Sequence, residues 1–155
     1  MKKITLVLLK KLRACEEAIE AYKTAGEPGE VFSLLLKEKK LDWANWLVAK
    51  LMSKEQCIKY AIYAAKQVLH IYEKKYPDDK RPRNAIRAAE KYLKEPTEEN
   101  KNAAAYAAAA YAAADYASYV ADSYAAADSY AADYAATALK TKISKYGIKL
   151  LELPS

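Results

Sequence analysis

Residues 103–138 read AAAYAAAAYAAADYASYVADSYAAADSYAADYAATA: twenty Ala, seven Tyr, four Asp and three Ser, with single Val120 and Thr137. Alanine has the highest helix propensity and no Gly or Pro interrupts the run, so it predicts helix without Leu or Ile to fill a core. Such a helix packs through small Ala surfaces and sets Tyr rings and carboxylates at chosen positions. Pro96 stops whatever precedes it, Thr97 is placed to cap it, and the helical reading continues to about Tyr146. Unbroken, it would be ~75 Å long at 1.5 Å per residue. A compact domain of this size has a radius of gyration of only ~15 Å. A break near the Asp-Ser pairs at 122–123 or 128–129 is therefore expected, and a protruding helix paired with another chain is the alternative.

At 100° per residue the polar groups of this segment separate into stripes. Tyr111, Asp115, Ser118, Asp122, Ser129 and Asp133 share one narrow stripe, and Tyr116, Tyr119, Ser123, Tyr130 and Tyr134 an adjacent one. The opposite side is mainly Ala, with Val120 and Tyr124. Either the Tyr hydroxyls bond Asp across helices and satisfy buried polar groups, or Tyr and Asp line a pocket in which rings stack on a planar ligand.

Upstream, punctuation marks further helices. Thr5 precedes Leu6–Leu12, and a second helix covers about Cys15–Thr24 before Gly26, Pro28 and Gly29. Val31–Lys37 and Leu41–Leu51 read as two short helices. Ser53 and Gln56 form a capping box at the start of a long helix whose expected buried stripe is Cys57, Tyr60, Ala61, Ala64, Val68, Ile71 and Tyr72, ended by Pro77. Pro82 suits the first helical residue of the next helix, with Ile86, Ala89 and Leu93 on its core side. No strand pattern appears. The expected fold class is all-α, a compact bundle of about six to eight helices with a long Ala/Tyr-rich C-terminal helix or a broken helix pair. The 155 residues fit one domain: a basic helical body, 1–96, an Ala/Tyr-rich arm, 97–147, packed on it, and a tail, 148–155.

Residues 102–139 hold four Asp and no Lys or Arg, a segment of −4 in a chain of +6, so the remainder carries +10. The basic part either neutralises the arm or attracts an anionic partner. With mean hydropathy −0.32, an N-terminal apolar run too short for a secretory signal and Asp interrupting the Ala tract, a soluble cytoplasmic protein without membrane attachment is expected. Cys15 and Cys57 lack CxxC spacing and have one His for company, which argues against a metal site and for buried, reduced thiols. No cofactor is implied. His70 has no nucleophile near it in sequence and there is no phosphate-cradling glycine loop, so no enzymatic activity is expected.

Two constellations stand out in the body. Asp42, Trp43 and Trp46 place two indoles three residues apart beside an acid, either as core or as a partner's hot spot. Asp79, Lys80, Arg81, Pro82 and Arg83 gather cations at a helix start, where positive charge opposes the macrodipole. They pair with the acidic arm, for example with Asp115 or Asp122, or hold a phosphate. The candidate ligand-binding residues are Asp42, Trp46, Arg81, Arg83, Tyr111, Asp115, Tyr119 and Asp122.

The order of LLKKLRACEEAIE (8–20), LDWANWLVAKL (41–51), the Asp79, Arg81, Pro82, Arg83, Ala85, Ile86, Ala88, Ala89 segment and the Ala tract resembles the putative immunity protein family of bacteria and their phages. Asp42, Trp46, Arg81, Pro82 and Arg83 carry the resemblance most specifically. Members often have Gly before the Ala–Cys pair, where this chain has Arg13. The resemblance implies neutralisation by binding. Two readings follow. In the leading one the chain sequesters a small anionic, nucleotide-derived immune signal, as a phage anti-defence sponge would: arginines take phosphates, tyrosines stack and Asp reads hydroxyls. In the alternative it is an immunity or antitoxin-type protein that blocks a protein toxin or effector. General nucleic-acid binding is a weaker third, and a homodimer through the Ala-rich helix is a further expectation.

Overall fold

The computed structural model describes residues 4–24, 31–98, 100 and 129–152. Within these the chain is all-α, without a strand. The helices are α1 (Leu6–Lys11), α2 (Glu16–Thr24), α3 (Val31–Lys37), α4 (Leu41–Leu51), α5 (Lys54–Lys75), α6 (Arg81–Lys94) and α7 (Ser129–Glu152). The chain divides into two compact units: unit 1 is residues 1–52 with 144–155, and unit 2 is residues 53–143.

In unit 1, α1 packs on α2 and α3 on α4. Thr5 accepts the Leu8 N–H at the start of α1, and Lys10 and Lys11 in its last turn complement the negative C-terminal end of the dipole. Ile4, Leu9, Val31, Phe32, Leu35, Leu41, Ala44, Leu47, Val48 and Leu150 form the buried apolar set. The Tyr22 hydroxyl donates to the Ile4 carbonyl at 3.1 Å and ties α2 to the segment before α1. Fully buried Ser144 donates to Asn45 Oδ1 at 2.8 Å, satisfying a hydroxyl that would otherwise destabilise the core by about 1–3 kcal/mol. The helix expected to stop near Tyr146 instead runs on to Glu152, through buried Gly147 to buried Leu150. Packing here outweighs the roughly 1 kcal/mol propensity deficit of glycine.

Both helix pairs of unit 1 turn through the same device. After α1, Arg13 sits at φ 59°; its N–H donates to the Lys10 carbonyl and that of Ala14 to the Leu9 carbonyl, both at 3.0 Å. After α3, Lys39 sits at φ 56°, with Lys39 N–H on Leu36 at 3.3 Å and Lys40 N–H on Leu35 at 2.9 Å. This paired closure is the Schellman motif, whose left-handed residue is usually glycine. The break expected after α1 is present, with Arg13 in the left-handed position.

In unit 2 the capping box forms as read: Gln56 N–H donates to Ser53 Oγ and Ser53 N–H to Gln56 Oε1. The buried stripe of α5 differs from the expected one. Tyr60, Ala64 and Val68 are buried, but Cys57, Ala61, Ile71 and Tyr72 are only half-buried, and a second line, Ile62 and Ala65, is buried as well. That line, flanked by Ile58 and Leu69, packs against Ile86, Ala89 and Leu93 of α6. A helix with apolar residues on two sides buries both, which the single-stripe reading omitted. Thr97 Oγ1 accepts the Asn100 N–H, the cap expected there. The proposed break of the Ala-rich helix, and the stripes at residues 111–128, lie outside the described residues.

A left-handed non-glycine residue is strained by about 1–2 kcal/mol, partly offset by the flexibility glycine adds to the unfolded chain. Arg13→Gly and Lys39→Gly are each expected to raise unfolding free energy by roughly 1 kcal/mol. Urea denaturation followed by circular dichroism measures it, and a lower midpoint in both variants would contradict the assigned turns.

Candidate functional site

Unit 1 contains a cavity of about 350 Å³. Its walls come from all four N-terminal helices. Leu9 of α1 lines it, with Val31, Leu34 and Leu35 of α3 and Trp43, Trp46 and Leu47 of α4. α2 contributes Ala18 and Ala21 beside Tyr22. Two small residues facing large ones leave the space that a Leu or Phe would fill, so the hollow follows from side-chain volume at α2. Both tryptophans of the chain are half-buried in this wall. Lys40 Nζ lies 4.9 Å from the Trp43 ring centroid, a cation–π contact worth roughly 0.5–1 kcal/mol at an exposed site.

Exposed charged groups mark the mouth. Arg13 enters from the α1–α2 turn, and Glu38 and Asp42 from the α3–α4 junction. Among the described residues none of the three side chains has a hydrogen-bonded or ion-paired partner. Cys15 also lines the cavity and is exposed, which corrects its reading as a buried thiol: it lies in the turn just before α2 begins. Cys57 is half-buried, and burial pushes its thiol pKa up.

The structure therefore brings Asp42 and Trp46 together on one cavity. Arg81 and Arg83 belong to unit 2 and are engaged by carboxylates other than those expected. Arg81 Nε and Nη2 grip Asp79, at 2.9 Å to Oδ1 and 2.7 Å to Oδ2. Arg83 Nε and Nη2 grip Glu73, each at 2.6 Å. The Tyr72 hydroxyl donates to Asp79 Oδ2 at 2.7 Å, and the Arg81 backbone N–H donates to Asp79 Oδ1 at 3.0 Å. Asp79 thus puts a negative charge at the N-terminus of α6, which explains how three cations are tolerated there. Tyr111, Asp115, Tyr119 and Asp122 lie outside the described residues.

Of the cavity residues only Asp42 and Trp46 were among the candidates; the lining from α1, α2 and α3, together with Arg13, Cys15 and Glu38, was not. A usable signal existed: Ala14, Ala18 and Ala21 recur at spacings of four and three, a small-residue line opposite two indoles. Among the described residues no three of His, Cys, Asp and Glu group so as to hold a metal ion. No helix among them is long and apolar enough to cross a membrane.

The family model described as Imm-5 like putative immunity protein matches residues 47–153. This chain belongs to that family. The match includes α5, α6 and α7, and so the Asp79–Arg81 and Glu73–Arg83 clasps of this immunity-family protein; of the cavity lining it includes Leu47. No curated protein and no solved structure matches the chain.

The clasps carry a pH dependence. The Arg81 guanidinium, then the Tyr72 hydroxyl, hold the Asp79 carboxyl well below its ordinary value of 3.8; the Arg83 guanidinium lowers Glu73. Because both folded values are depressed, their stabilisation is complete above about pH 4.5 and is lost as pH falls through the carboxyl range. Asp79→Asn with Glu73→Gln should lower the melting temperature at pH 7 and flatten its decline between pH 5 and pH 3, as checked by thermal melts across that range. An equally steep decline in the double variant would assign the acid sensitivity to other carboxylates.

Proposed function

We propose that this protein acts by binding rather than catalysis, and that it neutralises a protein toxin which seats a large apolar side chain in the Trp43–Trp46 cavity. The family supplies the class, an immunity-type protein; the cavity supplies the contact. A dry engineered cavity of ~150 Å³ already takes benzene, so about 350 Å³ walled by Leu, Val, Ala and two indoles suits a large aliphatic or aromatic anchor. Tryptophan is the residue type most enriched among interface hot spots, where truncation typically costs about 2 kcal/mol or more.

The same geometry supports nucleotide capture less well. The forked edges of Arg81 and Arg83 are spent on carboxylates, and the cavity is walled mainly by apolar side chains, which opposes a phosphate. The titratable groups with the strongest perturbation belong to these ion pairs, a structural use rather than a catalytic one.

The test is growth protection by the full chain in cells that express a candidate protein toxin. Trp46→Ala, and independently Ala18→Phe, which fills the cavity and keeps both indoles, should each lose at least about tenfold in protection while retaining helical circular dichroism. Full protection by both variants would overturn the reading. In parallel, nucleotides and cyclic nucleotides should leave the melting temperature unchanged; a shift abolished by Arg81→Ala or Arg83→Ala would favour the sequestration of a nucleotide signal instead.

A further inference from the structure

The α5–α6 hairpin carries a charge surplus that its own ion pairs do not remove. Residues 54–94 hold eleven Lys and Arg against five Asp and Glu, a net of +6 that equals the charge of the whole chain. Four of the five carboxylates are each held by one cation: Glu55 by Lys59, Glu90 by Lys66, Glu73 by Arg83 and Asp79 by Arg81. What remains is Asp78 against seven cations, Lys74, Lys75 and Lys80 among them. The next acids in the chain, Glu95, Glu98 and Glu99, follow the far end of α6. A helix of 14 residues puts that end ~21 Å from the connection, more than two Debye lengths of ~8 Å. The surplus is therefore felt most at the α5–α6 connection.

At that end Lys74, Lys75 and Lys80 are exposed on either side of Tyr76 in the sequence. Tyr76 is 42% exposed, and Val7 is the only other large apolar side chain left so open among the described residues. Its ring is nevertheless held. The Tyr72 ring lies 5.0 Å away at 46°, Lys75 Nζ sits 5.4 Å from the Tyr76 centroid, and the Tyr72 hydroxyl is itself tied to Asp79. A ring already fixed loses little freedom when a partner covers it, one reason Tyr recurs among binding hot spots. Lys80 Nζ donates to the Pro77 carbonyl, which positions the ammonium without neutralising it.

We propose that the α5–α6 connection is a second interaction surface, which takes an acidic segment of a partner protein. An apolar side chain of that segment covers Tyr76 while its carboxylates meet Lys74, Lys75 and Lys80. Nucleic acid fits the same charge less well. A duplex presents one negative charge per ~1.7 Å, so it would meet Asp78 and the clasped carboxylates as well as the lysines. The Arg81 and Arg83 forks that suit phosphate are also already engaged. A peptide, by contrast, sets discrete carboxylates opposite the lysines alone. Nothing in this surface depends on the unit 1 cavity being occupied.

The probes are two dye-labelled peptides of about 14 residues, roughly four helical turns, with the same Phe and Leu positions; one is rich in Glu and the other has Gln in its place. They are titrated into the full chain and read by fluorescence anisotropy. At low salt the Glu peptide should bind about tenfold tighter than the Gln peptide, with the preference shrinking in high salt. Lys74→Gln with Lys80→Gln should weaken the Glu peptide about fivefold, and Tyr76→Ala about tenfold. Lys142→Gln with Lys145→Gln removes the same charge from exposed positions on α7 and should change binding by less than about twofold. All of these side chains are exposed, so the variants keep the fold, as circular dichroism verifies.

No preference for the Glu peptide, or an equal loss from the α7 pair, would reduce the effect to net charge and overturn the proposal. Glu-peptide binding retained by Ala18→Phe supports the surface whatever that variant does to protection; binding lost there would place the peptide in the unit 1 cavity and overturn it. A single-stranded DNA of about 12 nucleotides that displaces the Glu peptide at lower concentration would assign the surface to nucleic acid instead. Self-association of the parent chain in sedimentation, abolished by Lys74→Gln with Lys80→Gln, would assign it to a second copy, whose residues 102–139 carry four Asp and no Lys or Arg.

Discussion

Arg13 and Lys39 hold the backbone in the left-handed region at the ends of α1 and α3, and the architecture of unit 1 depends on that constraint. Each closes a helix with two backbone hydrogen bonds and sends the chain back on a short path, so that α1 meets α2 and α3 meets α4. Without the turns, Leu9 and Leu35, whose carbonyls are the outermost acceptors of the two motifs, would not be carried into the same apolar wall. Both leucines are buried in the core and both line the cavity. The positions accept a conformational penalty that glycine would avoid, and at the first of them the side chain retained is the arginine of the cavity mouth.

Charge is organised differently in the two units. In unit 2 the prominent arginines are each opposed by one carboxylate in bidentate geometry, with Tyr72 and a backbone N–H completing the set around Asp79. The result is a local, neutral arrangement at the α5–α6 connection that also repairs an unfavourable helix start. In unit 1 Arg13, Glu38 and Asp42 stand at the cavity without such closure among the described residues. Neutralised pairs hold structure together; unneutralised groups beside an apolar hollow are available for recognition.

Much of the fold was legible because its signals are local. Val31–Lys37 and Leu41–Leu51 are helices at the bounds read from sequence, and Ser53 and Gln56 cap α5 as their types and spacing demand. Proline and the apolar period placed α6 and its core side. What was missed depends on contacts distant in sequence. The second buried line of α5 is set by α6, the continuation of α7 past Gly147 by packing in unit 1, and the exposure of Cys15 by its place in a turn. Of the candidate site, Asp42 and Trp46 were found because an acid beside two indoles is a local pattern. The cavity itself was not, since it arises from Ala18 and Ala21 on one helix facing Trp43 and Trp46 on another, and neither line is unusual alone. Arg81 and Arg83 were noticed for the right reason, an excess of cations at a helix start, but the carboxylates that answer them are Asp79, two residues before Arg81, and Glu73 on α5.

A hollow lined by small alanines is simple to fill. Replacing Ala18 or Ala21 with a larger aliphatic residue would bury more apolar surface, and each added methylene is worth about 0.8 kcal/mol. Keeping alanine there forgoes that stabilisation, a sacrifice ordinarily associated with function. An apolar hollow adds nothing to encounter at long range and acts only once a side chain enters it. Affinity built in this way resides in the anchored complex, in slow release once the apolar side chain is seated, and not in fast capture. That behaviour suits an immunity-type protein, which must keep a toxin occupied more than it must find it quickly.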